Sequence, residues 1–381
     1  MTYLDNAATG FPKPFGVISE VERCLQVYCG NPGRGSHALA LRAAKKIYEC
    51  REELAEFFGS SHPECLTFSP NATTAINTVI KGVLHDGDHV LISDMEHNAV
   101  LRPIHKLATE GKITYDVFPT YAATPNADAR DILSGIAERI RPNTRLLVAA
   151  HASNICSFSL PLEPIGALCR RHGILFCVDA AQSAGHLPID VEKMQIDALC
   201  FPSHKGLCGP QGCGGILWNE DVYADTLVEG GSGYHSLDPM MPEELPERHE
   251  AGTLPTPVIA GLLEGVRTLR AYGVDRIHSH VAALNERLKR QLQEMEGVTV
   301  YAPWHAGAVL LFSADAFPAD ALGHALDTRG FCVRAGYHCA PLAHKTLGTP
   351  DGGAVRVSPS LYTTREEIDR FARTLKDILY R

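Results

Sequence analysis

A histidine and a lysine lie between an apolar run and a glycine-rich turn, in the segment Phe201-Pro-Ser-His204-Lys205-Gly-Leu-Cys-Gly209. A lysine amine in such a place can form a Schiff base with an aldehyde cofactor if its pKa is lowered. Considered alone, Lys205 is explained better as a surface lysine before a loop. Its chemistry therefore depends on which other side chains the fold brings to it.

A carboxylate and an amide follow another apolar run, in Val178-Asp179-Ala-Ala-Gln182. Ligand sites in open parallel sheets lie where the strands end. A carboxylate there can keep a pyridinium nitrogen protonated, as pyridoxal phosphate enzymes require, and Gln182 could reach the phenolic oxygen of the same ring. Asp179 considered alone is more commonly explained as a helix N-cap.

Two further segments could contact such a cofactor. The residues Asn71-Ala72-Thr73-Thr74 follow a predicted strand and open a predicted helix. Backbone N–H groups and a threonine hydroxyl at a helix N-terminus form a phosphate site, although N-capping alone explains the segment equally well. His97 follows the next apolar run and could stack on a flat ring, or it could be a structural histidine.

One cysteine differs from the other eleven in its surroundings, in Cys332-Val-Arg334-Ala-Gly-Tyr-His338-Cys339-Ala-Pro. Glycine and proline flank its loop, and cationic neighbours favour the thiolate, which is the nucleophilic form. Cys339 is therefore the candidate nucleophile, whereas buried thiols explain most of the others. Arg356, on the next predicted strand, is suited to a substrate carboxylate or to a surface ion pair.

The elements that must position these residues alternate along the first two-thirds of the chain. Unbroken apolar runs are typical of strands covered on both faces, and their alternation with helical patterns predicts an α/β domain with a mostly parallel sheet. The predicted strands are residues 65–69, 89–93, 114–118, 145–150, 174–179, 198–201 and 215–218. The predicted helices are residues 37–58, 73–83, 100–110, 129–139 and 163–172.

The last third of the chain has a different pattern. A Gly- and Pro-rich stretch over residues 229–257 predicts a functional loop or a linker. Beyond it, the sequence predicts a smaller α+β domain with one long helix over residues 257–295 and a terminal amphipathic helix over residues 365–380. The predicted strands of this domain are residues 308–313, 332–334 and 354–358.

Composition excludes several classes of protein. The chain has 381 residues, of which 45% are hydrophobic, and this length predicts two domains. The formal net charge of −9 disfavours binding to nucleic acid or to an anionic membrane. No apolar run reaches the roughly 18 residues of a spanning helix. We expect a cytoplasmic protein with reduced cysteines and no metal site, because export signals and metal-ligand spacings are missing.

Together and in this order, the motifs resemble the cysteine desulfurase and selenocysteine lyase branch of the class V aminotransferase-like family. They are most similar to its group II form, in which the catalytic cysteine lies on a short loop. The resemblance covers nearly the whole chain. Its most specific markers are His204-Lys205 with Gly209-Pro210, Asp179 with Gln182, and Arg334-Ala-Gly-Tyr-His338-Cys339-Ala.

The resemblance implies an α/β fold, that of the fold-type-I pyridoxal phosphate-dependent transferases. The large domain, with a mostly parallel seven-stranded sheet, would comprise residues 15–265. The smaller α+β domain, which carries the cysteine loop, would comprise residues 1–14 and 266–381. Thr253 is similar to a threonine that reaches the phosphate of a neighbouring subunit, which implies a homodimer.

The resemblance also implies a role for each matching residue. Lys205 would carry the cofactor as a Schiff base, and it would be catalytic together with Cys339 and His97. The other cofactor-binding residues would be Ala72, Thr73, His97, Asn154, Asp179, Gln182, Ser203, His204 and Thr253. Ser203 would supply the phosphate-binding hydroxyl, because Pro202 occupies the position where relatives have one. The substrate would be held by Asn154, Arg356, Arg334 and His37, with Arg34 in a loop at the mouth of the site.

The implied reaction converts L-cysteine to L-alanine, with a persulfide formed on Cys339 and passed to an acceptor protein. A selenocysteine lyase, which releases selenide from L-selenocysteine, is the alternative. Selenols are more acidic than thiols, so this second reaction can proceed without the enzyme thiol. A class V aminotransferase and a non-catalytic sulfur-relay subunit are further alternatives. The residues alone identify neither the preferred substrate nor the acceptor, nor any activator protein.

Overall fold

The computed structural model describes residues 1–33 and 35–380, so the predicted mouth residue Arg34 lies outside the described residues. The strands are β1 (Thr2–Tyr3), β2 (Leu66–Ser69), β3 (His89–Ser93), β4 (Thr114–Phe118), β5 (Thr144–Ala150), β6 (Leu175–Asp179), β7 (Ala198–Pro202), β8 (Gly214–Trp218), β9 (Val298–Val300), β10 (Leu310–Ala314), β11 (Phe331–Cys332), β12 (Arg334–Gly336) and β13 (Ala354–Val357). The helices are α1 (Phe15–Val27), α2 (Ala38–Phe57), α3 (Ala72–Val83), α4 (Asn98–Thr109), α5 (Ala129–Ala137), α6 (Leu162–His172), α7 (Thr256–Tyr272), α8 (Val274–Gln293), α9 (Ala319–Asp327), α10 (Pro341–Leu347) and α11 (Arg365–Tyr380).

The central sheet confirms the predicted fold class. In the described ranges it has seven strands in the order β2-β8-β7-β6-β5-β3-β4, and only β8 runs antiparallel to its neighbours. Val90 and Ile92 of β3 pack in the core under α3 and α4, whereas Leu91 packs in the core under α2 and α6. Both faces are covered by helices, which explains why these strands are unbroken apolar runs.

The topology brings the candidate residues to one edge of this sheet. Strands β2, β3, β5, β6 and β7 share one direction, so their carboxyl ends meet at the same edge. Asp179 is the last residue of β6, and Pro202 at the end of β7 pairs with Gly214 at the start of β8. The segments carrying His97 and Lys205 follow β3 and β7, so they leave the sheet at this edge. This is the usual place for a ligand site in an α/β sheet.

A second, antiparallel sheet lies in the C-terminal third, and within residues 35–380 its order is β12-β13-β10-β9. It packs with α8, α9 and α11 around a separate apolar core. The N-terminal strand β1 pairs in parallel with β11, which joins the first residues of the chain to this part. Helix α7 instead packs against α1 and α2. We therefore propose that Gly273, rather than residue 265, separates the two domains.

Two local predictions differ from the structure, and one helix was not predicted. The predicted helix over residues 257–295 is two helices, α7 and α8, because the chain turns at Gly273 with φ of +86°. Glycine adopts this conformation without steric cost. The predicted strand over residues 332–334 is divided between β11 and β12, which pair with different strands. Helix α1 lacks a side-chain N-cap, so it gives no start signal in the sequence.

Helices α2 and α8 each have 20 residues, and both carry charged side chains along their length. Within the described part of the chain, no helix combines the length and the apolar character that crossing a membrane demands.

Candidate active site

A pocket opens at the carboxyl edge of the central sheet. Eight of the predicted site residues line it within the described part of the chain: Ala72, Thr73, His97, Asn154, Asp179, Gln182, His204 and Lys205. They come from five separate segments of sequence. The other predicted residues, namely Ser203, Thr253, His37, Arg334, Arg356 and Cys339, lie outside the wall of this pocket.

Lys205 and Asp179 form the charged centre of the pocket. Burial lowers the pKa of Lys205 to about 8, and Asp179 partly opposes this shift. The pKa of Asp179 is raised by burial, while a hydrogen bond from the Ala181 N–H to Oδ1 at 2.8 Å and the charge of Lys205 act in the opposite direction. The two groups stabilise each other's charged forms. The arrangement holds an amine beside a buried carboxylate.

The N-terminal segment packs against the backbone of His204 and Lys205. The carbonyl of His204 accepts hydrogen bonds from Lys13 Nζ at 2.8 Å, the Gly10 N–H at 2.8 Å and Thr9 Oγ1 at 3.2 Å. A Cβ on Gly10 would lie 2.9 Å from the Lys205 carbonyl, so only glycine allows this approach. Residues near position 10 therefore fix the backbone that carries Lys205. No local sequence pattern indicates this contact.

Gln182 is held by the same N-terminal segment. Its Nε2 donates to the Ala7 carbonyl at 2.9 Å, which orients the amide at the wall of the pocket. The Ala7 N–H is in turn bound by the Ser358 hydroxyl at 2.9 Å. The orientation of Gln182 therefore depends on residues from both ends of the chain.

One end of the pocket suits an anion. Helix α3 begins there, and its N-cap Asn71 accepts from the Thr74 N–H at 2.9 Å, while Thr73 is exposed to the pocket. A Cβ on Gly214 would lie 2.4 Å from the Phe201 carbonyl of β7 and 3.2 Å from the Ala72 nitrogen, so glycine lets β8 pack closely against both β7 and the start of α3. Helix N-termini bind phosphate through N–H groups and the helix dipole.

His204 adds an unsatisfied group to this pocket. Its Nδ1 is buried and has no hydrogen-bond partner among the described residues. Burial, together with the charges of Lys205 and Lys13, lowers the pKa of His204 to about 4, so the ring is neutral near pH 7. Buried polar atoms are rarely left unpaired in folded proteins. A neutral imidazole with a free nitrogen, near α3 and Thr73, therefore fits a phosphate group that accepts its proton.

His97 lies at the wall of the pocket as the N-cap of α4. Its Nδ1 accepts from the Ala99 N–H at 3.0 Å, which fixes the ring. Burial lowers its pKa to about 4, and the Lys205 charge contributes, so the ring is neutral near pH 7. A neutral aromatic ring in this position can stack on a flat heterocycle.

Ser203 is placed differently from the prediction. Its hydroxyl is buried and donates to the Pro210 carbonyl, because the glycine-rich turn folds back and the Gly209 N–H bonds the Ser203 carbonyl at 2.9 Å. The hydroxyl proton is therefore directed away from the pocket. In this structure Ser203 does not replace the hydroxyl that Pro202 lacks.

The loop that carries Cys339 is bound directly to the pocket wall. The Asn98 N–H donates to the Cys339 carbonyl at 2.7 Å, and Asn154 Nδ2 donates to the His338 carbonyl at 2.7 Å. His338 and Cys339 have φ of +51° and +57°, a conformation that residues other than glycine seldom adopt. Cys339 is exposed, and nine of the twelve cysteines are buried.

Arg356 and Arg334 lie opposite each other on β13 and β12. Arg356 is fully buried, with Nη1 donating to the Asn154 carbonyl at 2.9 Å and Nη2 to Asp5 Oδ1 at 2.7 Å, while its Nε has no partner among the described residues. Burial lowers its pKa, and the Arg334 charge contributes to the same effect. Two guanidinium groups side by side favour an anionic ligand.

Thr253 and His37 lie apart from this pocket. Thr253 is exposed in a second cavity, whose wall includes Phe68 and Pro255. Its segment is anchored by Glu250, which accepts from Arg51 Nη2 at 2.5 Å and from the Phe68 N–H at 2.6 Å. His37 is exposed and caps α2 by accepting from the Ala40 N–H at 3.3 Å.

Sequence reasoning missed several residues of the site. Asp5 pairs with Arg356, and Asn98 binds the cysteine loop through its backbone. Glu96 is completely buried behind the pocket, where its Oε1 accepts from the Ser93 hydroxyl and from the Ala150 N–H at 2.9 Å. Asp5 and Arg356 are separated by 351 residues, so no local pattern could connect them.

Comparison with known proteins agrees with this geometry. The model of the family described as aminotransferase class-V matches residues 2–371. A protein of Methanothermobacter thermautotrophicus named "probable cysteine desulfurase" is 33% identical over 386 residues, which cover 99% of this chain and 94% of that relative.

Solved structures give the same result. The apo cysteine desulfurase from Thermococcus onnurineus NA1 has a TM-score of 0.88 at 30% identity, covering 99% of this chain and 94% of that one. The cysteine desulfurase CsdA from Escherichia coli has a TM-score of 0.87 at 25% identity, covering 99% and 95%. The family match extends over nearly the whole chain, and the pocket offers an amine, a carboxylate and the N-terminus of a helix. The chain therefore belongs to the aminotransferase class-V family of pyridoxal phosphate enzymes.

Proposed function

We propose that this protein is a pyridoxal phosphate-dependent cysteine desulfurase, which converts L-cysteine to L-alanine and receives the sulfur on Cys339. The observation that carries the proposal is the attachment of the cysteine loop to the pocket. Two successive carbonyls, those of His338 and Cys339, accept hydrogen bonds from Asn154 and Asn98. The backbone of the exposed Cys339 is thereby held next to the wall of the pocket that contains Lys205, which suits sulfur transfer.

Bound pyridoxal phosphate supplies an aldehyde that condenses with amines and a ring that withdraws electrons from the substrate. We assign Lys205 to the aldehyde carbon and Asp179 to the ring nitrogen. Gln182 is assigned to the phenolic oxygen, and Thr73 with His204 to the phosphate. The Ala72 N–H joins the phosphate site, and His97 stacks on the ring.

Lys205 is assigned the proton transfers at the substrate carbons. An amine acts as a base only in its neutral form, and the lowered pKa of about 8 leaves a substantial neutral fraction near pH 7.5. Asp179 remains ionised when it faces a cation, since opposite charges at short range favour the charged form of a carboxyl group.

Cys339 is assigned the role of sulfur acceptor. Its thiolate attacks the sulfur of the substrate, a sulfur–sulfur bond forms, and the carbon–sulfur bond breaks. The electron pair of the broken bond stays with the carbon, which takes up a proton to give L-alanine, while a persulfide remains on Cys339. The two sulfur atoms are oxidised and the carbon is reduced, so no external oxidant or reductant is needed. The thiol of an acceptor protein can then remove the outer sulfur.

Arg356, Arg334 and Asn154 are proposed to bind the substrate. Arg356 is the centre of this group, because its Nε has no partner in the described part of the chain and its Nη1 donates to the Asn154 carbonyl. A substrate carboxylate would compete with Asp5 for the guanidinium and would reduce the repulsion between the two arginines. The exposed His37 is assigned only to the outer edge of the substrate path.

We propose that the active protein is a homodimer. Thr253 is exposed and lines a cavity other than the pocket of its own chain, which suits a role in the site of a neighbouring copy. Apolar side chains are also exposed on two helices that both pack against α7: Phe15, Ile18 and Leu25 on α1, and Leu39 and Leu41 on α2. Contiguous exposed apolar groups are typical of an interface. Sedimentation equilibrium would test this assembly.

Alanine release from L-cysteine and from L-selenocysteine by the cofactor-loaded protein tests the proposed reaction. We expect turnover of L-cysteine that depends on Cys339. A preference of several powers of ten for L-selenocysteine would favour the selenocysteine lyase alternative, which no specific finding supports at present. A sulfur-acceptor protein is the remaining partner that the proposal requires.

A further inference from the structure

Two buried histidines pack against each other at the cysteine loop. His338 and His344 are 4% and 2% exposed, and their rings are stacked with centroids 5.5 Å apart and an interplanar angle of 9°. His338 belongs to the loop, whereas His344 lies on α10. The proposed reaction uses neither ring as an acid, a base or a ligand.

A chain of hydrogen bonds fixes the proton positions on both rings. The Arg334 carbonyl can only accept, so His338 Nε2 donates to it at 3.1 Å. His338 Nδ1 then accepts from His344 Nε2 at 3.2 Å, and His344 Nδ1 accepts from the Thr349 hydroxyl at 2.8 Å. Burial lowers the pKa of His338 to about 3 and that of His344 to about 4, which keeps both rings neutral.

The segment after α10 supports the same loop from another side. The Gly352 N–H donates to the Tyr337 hydroxyl at 2.9 Å, and the Tyr337 ring packs edge-on against His344 at 5.4 Å. Gly353 has φ of +81°, and a Cβ there would lie 2.2 Å from the Gly336 carbonyl. The loop and this segment therefore pack without room for a side chain between them.

These contacts explain how the loop keeps an unfavourable backbone conformation. His338 and Cys339 both have positive φ, and such conformations persist only where surrounding contacts hold them. Asn98 and Asn154 bind backbone carbonyls of the loop, and His344 binds the imidazole ring of His338. Both sets of contacts act on His338, since Asn154 binds its carbonyl and His344 binds its ring.

We propose that His344 is a positioning residue for the reaction, which holds the Cys339 thiol at the pocket through its hydrogen bond to His338. Thr349 supports this role, because its hydroxyl donates to Nδ1 of His344 and thereby leaves the proton of that ring on Nε2. The kinetic consequence rests on the proposed desulfurase function. The structural consequence does not, because docking of the loop can be measured at the Asn98 N–H without any turnover.

The test compares the His344→Leu and His344→Gln variants of the full-length, cofactor-loaded protein. Leucine removes both hydrogen bonds, whereas glutamine can still donate to His338 and accept from Thr349. Hydrogen exchange at the Asn98 amide, resolved by fragmentation, reports whether the loop is docked, and the Ala181 amide is the reference. His305→Leu is the matched control, because His305 bonds the Ala122 carbonyl instead.

We expect His344→Leu to speed exchange at Asn98 by about 10-fold or more relative to Ala181. We also expect kcat for alanine release to fall by about 10-fold, with KM and the cofactor absorbance little changed. His344→Gln should restore both values to within about 3-fold of the wild type, and His305→Leu should change neither.

Unchanged exchange at Asn98 in His344→Leu would overturn the proposal, whatever the activity. Faster exchange in a protein whose wild type releases no alanine would support the positioning role and would contradict the proposed function alone. If His344→Leu does not fold, Thr349→Val replaces it, because this isosteric change removes the hydroxyl donor. We expect about 3-fold faster exchange in that variant, and unchanged exchange there would equally overturn the proposal.

Discussion

The backbone N–H of Asn98 donates to the carbonyl of Cys339 at 2.7 Å. Asn98 directly follows His97, which lines the pocket at the end of the central sheet. This hydrogen bond, together with the one from Asn154 Nδ2 to the His338 carbonyl, connects the wall of the proposed cofactor pocket to the loop of the proposed sulfur acceptor. The two residues are 241 positions apart in the chain, and α4 brings them together by beginning at Asn98.

Loss of the Asp179 carboxylate should slow the reaction. We expect Asp179→Asn to reduce kcat for alanine release by about 100-fold, because a neutral amide does not keep the ring nitrogen protonated. The cofactor should still bind through Lys205, and its absorbance should be retained. Steady-state kinetics on Asp179→Asn and on the exposed control Asp128→Asn will check this. Equal activity of the two variants would contradict the assignment of Asp179.

Arg356 should control the affinity for substrate. We expect Arg356→Gln to raise KM for L-cysteine by about 10- to 100-fold, since a charge-assisted hydrogen bond to the carboxylate is lost. Arg356→Lys should be nearly as defective, because a lysine cannot form two parallel hydrogen bonds. The exposed Arg130→Gln is the control. An unchanged KM in Arg356→Gln would show that the carboxylate is bound elsewhere.

The sheet was predictable because a buried strand leaves a continuous apolar run, and β3 and β4 have the predicted bounds. The residues lining the pocket were found where a local motif surrounds them, as around Lys205 and Asp179. The Ser203 hydroxyl binds a backbone carbonyl, that of Pro210, and Arg356 binds Asp5, which is distant in sequence. Neither contact could therefore be predicted. Gly273 lies within a continuous helical pattern, so the sequence did not indicate that α7 ends there and α8 begins.

Glu96 should make stability depend on pH. Burial raises the pKa of Glu96 to about 8, above its ordinary value near 4.5. The folded state therefore holds this proton more tightly than the unfolded state. The resulting stability is fully present below about pH 4.5 and is lost as the pH rises through 8. Gln at this position does not titrate. We expect Glu96→Gln to become more stable than the wild type as pH rises from 5.5 to 8, by up to about 1.4 kcal/mol per pH unit.

Chemical denaturation at both pH values measures this difference for Glu96→Gln, with the exposed Glu294→Gln as the control. A difference from the wild type that is the same at both pH values would mean that Glu96 is ionised throughout.

Thr253 should act in the site of the partner subunit. We expect Thr253→Val to weaken cofactor binding by about 10-fold through loss of one hydrogen bond to phosphate. In a mixed dimer of Thr253→Val and Lys205→Ala chains, the site that keeps Lys205 receives an unchanged threonine from the other chain. Cofactor titration of this mixed dimer should therefore show wild-type affinity at that site. Affinity as weak as in Thr253→Val alone would place Thr253 in its own chain's site.

The most direct test of the account is alanine release from L-cysteine by the Cys339→Ser variant. The control is Cys29→Ser, which changes the other exposed cysteine in the described part of the chain. We predict that Cys339→Ser loses about 100-fold or more of the activity, keeps the cofactor absorbance and forms no persulfide, whereas Cys29→Ser matches the wild type. Full activity of Cys339→Ser on L-cysteine would contradict the assignment of Cys339 as the sulfur acceptor.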